Sequence, residues 1–330
     1  MLPIRTPYVF AMAGSLALLA GCSGAQGTAS GTQTGSAGIT AALLTPVTGL
    51  SFYTTMQCGA KAAAAELGVS LTLATSKDYT VPVQTTALQG LTAQKRDGLL
   101  FVPVDPVAMS GQLKRVIDSG TKVVTVDTGP MVPPIESSTV VASGEEGGAL
   151  AAKAMADKIG GSGTVLLVSI DPTVNALEDR VKGFTEFMKT NHPNVVVLPT
   201  QYAGTDSNKA AQITSATILS HPDLAGVFAT AEADAVGVAS GVRSSGKTGK
   251  VAVVSYDTSP SEVKDLKAGA YDALVAQDPY TEGSESMKAL VSVIKGQEVK
   301  SVTKIPLKLV TAGNVDEPDV AKYLYVDACK

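Results

Sequence analysis

Histidine is nearly missing from this chain: two residues in 330, His192 and His221, each followed by proline at the expected end of a helix. There a polar side chain closes the helix. With no H-E-x-x-H, no C-x-x-C and no histidine at a strand end, the parts of a zinc site or of a Ser–His nucleophile are missing. No metal site and no catalytic residue is expected, and the chain does not read as an enzyme. No cofactor is expected either. The loop after the first strand, Thr45-Pro46-Val47-Thr48-Gly49, lacks the G-x-G-x-x-G of a dinucleotide fold, and no P-loop occurs. Gly160-Gly161-Ser162-Gly163 stands before a strand rather than after one, which makes it a turn and not a phosphate cradle. Basic clusters are absent and the net charge is −4, so nucleic acid is not an expected partner. Tryptophan is absent and aromatics make up 5%. What is present, 45% hydrophobic against 17% charged residues, belongs to a packed chain of one large or two medium domains.

The organising stretch is Asp97 to Thr128. Leu99 to Val104 is a short β-branched apolar run, and Asp105-Pro106 offers an N-cap and a first-turn proline. Met109, Leu113, Val116 and Ile117 follow at helical spacing until Gly120, and Lys122 to Val126 is a second apolar run. Strand, helix, strand over this length is a βαβ unit with parallel strands. Both strands are apolar throughout, as a sheet covered by helices on both faces requires.

Open α/β sheets bind ligands at the carboxyl ends of their strands. Asp105 and Asp127 stand at such ends, as do Thr45, Ser169, Thr230 and Asp257 after other apolar runs. The same alternation continues from Glu145 to Ala276. Two successive α/β series, without a sequence repeat, suggest two similar lobes.

Arg5 precedes an apolar segment, Val9 to Ala20, of signal-peptide length and too short for a comfortable membrane span. Leu19-Ala20-Gly21-Cys22 resembles the lipobox of bacterial lipoproteins, which implies a lipid on Cys22 and an exported, membrane-anchored protein. Removing the leader takes away Arg5 and no acid, giving a net charge of −5. Ala25 to Gly38, rich in Gly, Ser, Thr and Gln, reads as a flexible tether. That leaves Cys58 and Cys329, an even pair in an oxidising compartment. Cys58 falls off the helical face formed by Met56, Ala60, Ala63 and Leu67. It is therefore expected on the outside of its helix, where the C-terminal segment can reach it to form a disulfide. Two separate buried thiols are the other reading.

The ordered motifs DGLLFVPVDP, TKVVTVDT, DRVKGF, HPDLAGVFA, VVSYDTSP and LVAQDPYTEG resemble those of the ribose/galactose-type sugar-binding proteins of bacterial ABC importers, over about Ile39 to Val310. The resemblance implies the type I periplasmic binding protein fold, two Rossmann-like α/β lobes with parallel sheets joined by three hinge strands and closing around a ligand. On this scheme residues 1–21 are the leader and 22–37 the tether. Residues 38–142 with 277–303 form the first lobe, 143–276 with 304–313 the second, and 314–330 a tail. By resemblance, Phe52 and Tyr53 stack on a sugar ring, Asp127, Arg180 and Asp257 take its hydroxyls, and Gln277 contributes from a hinge. Arg180 has an alternative in pairing with Glu178 or Asp179, Phe52 and Tyr53 in the core, and Asp105 in capping a helix.

The departures from the family pattern are specific. Val102 replaces an asparagine, Thr128 an arginine, and Ala231-Glu232 an Asn-Asp pair. An aromatic on a second-lobe loop is replaced by Thr205, with Tyr202 nearby. Thr45, Asp105, Thr128, Tyr202 and Glu232 are therefore secondary candidates. The implied function is capture of a sugar or polyol by a lipid-anchored monomer and delivery to an ABC permease. A sensor presenting the same ligand to a membrane receptor is the alternative.

Overall fold

The computed structural model describes residues 38–329. Cys22, the leader and the tether lie outside the described residues. The first series consists of β1 (Thr40–Thr45), α1 (Ser51–Leu67), β2 (Ser70–Thr75), α2 (Val81–Thr92), β3 (Gly98–Phe101), α3 (Ser110–Asp118), β4 (Lys122–Val126) and β5 (Ser138–Ala142). The second runs from α4 (Gly144–Ile159) through β6 (Gly163–Ser169), α5 (Asn175–Asn191), β7 (Val195–Val197), β8 (Gln201–Tyr202), α6 (Ser207–Ser220), β9 (Leu224–Ala229) and α7 (Glu232–Ser244). It ends with β10 (Ala252–Tyr256), α8 (Pro260–Lys267) and β11 (Ala273–Ala276). The chain closes with α9 (Pro279–Ile294), β12 (Val302–Ile305) and β13 (Lys308–Val310).

These strands form two sheets of the same order, β2-β1-β3-β4-β5-β12 and β7-β6-β9-β10-β11-β13, with β8 extending the second beside β6. All pairings are parallel except that of β13 with β11. The chain passes between sheets after β5, after β11 and between β12 and β13, so the architecture is two α/β lobes with three crossings. Lys304 and Ile305 pair with Val141 and Ala142, which carries the first sheet two residues past the boundary expected at 303.

Strand periodicity builds the core. In the first lobe Leu43, Leu100 and Val124 point to the face covered by Met56 of α1 and Met287 and Leu290 of α9. Their neighbours Leu44, Leu99, Phe101 and Val123 point to the opposite face, against Leu88, Met109 and Leu113. Consecutive residues thus fill two separate layers, which is why the strands are apolar without a break. The second lobe does the same, with Leu166, Val168 and Val227 on one face and Val165, Leu167 and Phe228 on the other.

Four local readings change. The strand expected to reach Val104 stops at Phe101, because Pro103 has no N–H for a ladder. The buried Gln84 takes over, donating to Val102 O at 2.7 Å and accepting from Val104 N at 2.9 Å. The helix expected from Pro106 becomes regular only at Ser110, after a turn whose N–H groups at Val107 and Ala108 both donate to Asp105 Oδ1. Helix α9 was not expected, since Gly283 and two serines interrupt its pattern, although Met287, Leu290 and Val291 mark a buried face. Gly283 is required where α9 meets α1, because a Cβ there would lie 2.1 Å from Met56 O. Finally, Leu67 is 38% exposed rather than part of the core face of α1.

The C-terminal segment is more than a tail. Val315, Val320 and Tyr323 belong to the core of the second lobe, while Tyr325 belongs to that of the first. Thr258 Oγ1 donates to Tyr323 O, Tyr325 N to Thr258 O, and Ser51 Oγ to Asp327 Oδ1 at 2.7 Å. Cys329 then joins Cys58 in a disulfide with Cα atoms 5.3 Å apart. Cys58 faces this segment, as expected, and is buried beneath it at 8% exposure. Closing a loop of 271 residues stabilises the fold by up to about 5 kcal/mol in the chain-entropy account. Reduction, or Cys58→Ser with Cys329→Ser, is expected to lower the melting temperature by several degrees. The unreduced, denatured mature protein should show no free thiol at Cys58 or Cys329, and labelling at both would contradict the bridge.

Candidate functional site

Asp127 and Asp257 follow β4 and β10, the fourth strand of each sheet. Asp127 N donates to Val140 O at 2.9 Å and Asp257 N to Val275 O at 2.8 Å, so each stays bonded to the neighbouring strand. Each then turns with positive φ, 70° and 78°, and they are the two non-glycine residues that do so among the described residues. That left-handed turn costs energy for a residue with a side chain. Here it directs both carboxylates into the space between the lobes. The two tips share the pattern Asp-Thr-x-Pro, at Asp127 to Pro130 and Asp257 to Pro260. This short repeat is a sequence signal of their equivalence, and it corrects the reading that the two series carry no repeat.

A cavity opens between the lobes beside these two strand tips. From the first lobe it is lined by Phe52, Tyr53, Asp127 and Thr128, and from the second by Arg180, Glu232 and Asp257, with Gln277 at a crossing. Eight of the residues picked out from sequence therefore come together. Three do not. Asp105 caps its turn, as its alternative reading held. Thr45 is buried among Gln57, Ala74 and Thr75, to all of which its hydroxyl bonds. Tyr202 donates to Glu178 at 3.1 Å, away from the cavity. The cavity also gains Tyr79, whose hydroxyl donates to Tyr53 at 2.8 Å, and an apolar wall from Ile170, Val174 and Leu177. These come from loops and helix starts whose place no sequence pattern announces. Leu177, near the start of α5, lies on the same helix as Arg180.

Arg180 is set by packing and one hydrogen bond. Its guanidinium carbon lies 3.6 Å from the centre of the Tyr256 ring, and Nη1 donates to Thr230 O at 2.7 Å. It does not pair with Glu178 or Asp179 among the ion pairs of the described residues. Phe52 and Tyr53 are 4% exposed and meet edge to face, so they belong to the core and border the cavity at once. Asp257 Oδ1 accepts from Tyr325 Oη at 2.9 Å and Gln277 Nε2 at 3.0 Å, and its Oδ2 accepts from Glu232 N at 3.2 Å. Asp127 has a single long bond, from Tyr53 Oη at 3.3 Å. Arg180 Nε, Thr128 Oγ1 and Glu232 Oε2 are buried without a hydrogen-bond partner. Unmet donors and acceptors around one cavity are what a polar ligand would satisfy.

The comparisons follow this geometry. A periplasmic binding protein domain matches residues 41–298. The chain belongs to the periplasmic binding protein family. The ribose import binding protein of Bacillus subtilis is 28% identical over 261 residues, 79% of this chain and 83% of that one. An ABC transporter solute-binding protein from Agrobacterium vitis, solved with α-D-tagatopyranose, is 32% identical with a TM-score of 0.84, over 88% of this chain and 100% of that one. A carbohydrate transporter solute-binding protein from Agrobacterium radiobacter, in complex with D-arabinose, is 25% identical with a TM-score of 0.83, over 88% and 99%. Family members are binding proteins rather than enzymes.

Burial sets the electrostatics of this binding protein. It raises the Asp127 carboxyl, an effect opposed by Arg180 and reinforced by Asp257. It pushes Glu232 up to about 7, helped by Asp257, and Asp234 to about 8. Glu282 on α9, fully buried with both oxygens unpartnered, is raised well above its ordinary value by burial, then by Asp127 and Asp278. A carboxyl whose folded pKa is raised keeps its proton longer in the native state than in the unfolded one. The stability it contributes is fully present below the ordinary carboxyl range and is lost as pH rises through about 7–8. The ligand-free protein should therefore melt at a higher temperature at pH 5.5 than at pH 8.5, and Glu232→Gln should flatten that slope. A stability that rises between those pH values would contradict the assignment.

Proposed function

We propose that this chain captures a sugar or polyol between its two lobes and delivers it to the permease of an ABC importer, held at the membrane by a lipid on Cys22. The observation that carries the reading is the pair of equivalent strand-tip carboxylates, Asp127 from one lobe and Asp257 from the other, opening on one cavity beside Arg180. A carboxylate accepts two hydroxyls, a guanidinium offers a rigid donor fork, and Phe52 and Tyr53 can cover the C–H side of a ring. A ligand that bonds to both lobes does so only when they are closed, so binding shifts the open–closed equilibrium. The Cys58–Cys329 bridge agrees with an exported protein. The lipobox-like end of the leader supports the anchor, and the ABC-importer relatives support the permease as partner. On this reading the protein acts as a monomer.

A thermal-shift screen over pentoses, hexoses and polyols should find a stabilising ligand. Calorimetry with that ligand should show Asp127→Ala and Arg180→Ala each weakening binding by about tenfold or more, as bonds to charged groups imply. Asp105→Ala should lower stability and leave affinity unchanged. Wild-type affinity in Asp127→Ala would place the ligand elsewhere. For the anchor, Cys22→Ala should move the protein from the membrane fraction to the soluble fraction, and retention would remove the lipid from the account.

A further inference from the structure

The charges lining the cavity do not balance. Three carboxylates, Asp127, Glu232 and Asp257, face one guanidinium, Arg180. The three are met very differently. Asp257 receives donors from Tyr325, Gln277 and the Glu232 backbone, so its charge is held by the protein. Asp127 receives Tyr53 and feels the positive charge of Arg180. Glu232 has neither a phenol nor a cation beside it: Ser51 and Phe52 at the amino end of α1 offer its carboxyl donors, its own N–H is committed to Asp257, and its buried Oε2 has no partner. The amino ends of α7, which it begins, and of α1, which it faces, supply partial positive charge but no cation. On the same wall Arg180, 5% exposed, keeps Nε unpartnered. Among the described residues, no group of three or more His, Cys, Asp or Glu is arranged to hold a metal ion. The balancing charge then comes from the proton that burial holds on Glu232 up to about pH 7, or from the small molecule that displaces it.

We propose that the preferred ligand is an amine-bearing sugar, with its ammonium against Glu232 and its hydroxyls reaching Asp127 and Arg180. The inference rests on the reading of this cavity as a sugar site. An ammonium carries three donors and no acceptor, which suits a carboxylate with a free oxygen. The charge-assisted bond is shorter and about twice as strong as a neutral one, and an enclosed site screens it little. A neutral sugar offers Glu232 only a hydroxyl, against a carboxyl that burial already holds near 7.

The test is calorimetric titration at pH 7 of matched pairs: 2-amino-, 3-amino- and 6-amino-deoxyhexoses and aminated cyclitols, each with its hydroxyl parent and its N-acetyl derivative. The expected result is one amine that binds about tenfold or more tightly than both its parent and its neutral amide. That preference should fall to near parity in Glu232→Gln, which keeps the size of the side chain and removes its charge. Binding of the parent sugar as tightly as any amine overturns this inference and leaves the sugar-capture reading standing. So does an amine preference that survives Glu232→Gln. Binding by no member of the panel, neutral or aminated, overturns both.

Discussion

A carboxylate at 5% exposure needs donors around it, and those for Asp257 come from three separate segments. Gln277 belongs to the crossing after β11, Tyr325 to the C-terminal segment, and the Glu232 N–H to the start of α7. All three must be in place before the strand tip can be buried as an anion, because a buried charge without donors costs several kcal/mol. Tyr325 also accepts from Gln277 N at 3.2 Å, which ties the crossing to the same phenol. The disulfide four residues later therefore does more than fasten an end. It holds the segment that carries Tyr325 across from the second lobe to α1, whose residues Phe52 and Tyr53 form the other wall of the cavity.

The two strand tips share one backbone geometry and differ in what surrounds them. Asp257 already accepts three protein donors, so it acts as a fixed point of the cleft with about one acceptor position left for a ligand. Asp127 has one long hydrogen bond and Glu232 Oε2 has no partner. Those two acceptors, with Arg180 Nε and Thr128 Oγ1, form the part of the cavity that a ligand would complete. Arg180 has no freedom to leave: Tyr256 stacks beneath it, and the approach is so close that a Cβ on Gly147 of α4 would fall 1.7 Å from Tyr256 Oη.

The fold could be read from sequence because its strands are uniformly apolar and its helices carry clear stops, such as Gly68 after α1 and Gly160 after α4. The strand ends were legible for the same reason, which is how Asp127 and Asp257 stood out. Helix α9 escaped because glycine and serines break its periodicity, and Gly283 is what lets it approach α1 closely. Tyr79, Val174 and Tyr325 escaped because nothing local reveals that a loop or a C-terminal segment folds back over a distant strand tip. Asp105 and Thr45 stand at strand ends as Asp127 does, and ranked below it as candidates. What separates them is the local donor: turn N–H groups consume one, and Gln57 with Thr75 the other. Satisfaction of that kind is a property of packing, which a strand-end pattern does not contain.

The central claim is that a sugar lies between the lobes and is shared by groups from both. A crystal structure of the mature chain with the sugar that binds most tightly tests it most directly. The account predicts that sugar in the cavity, bonded to Asp127 of the first lobe and to Arg180 or Glu232 of the second, with Phe52 or Tyr53 against its C–H face. A sugar bound to one lobe alone, or in the groove where Tyr280, Lys322 and the Cys58–Cys329 bridge meet, would contradict it.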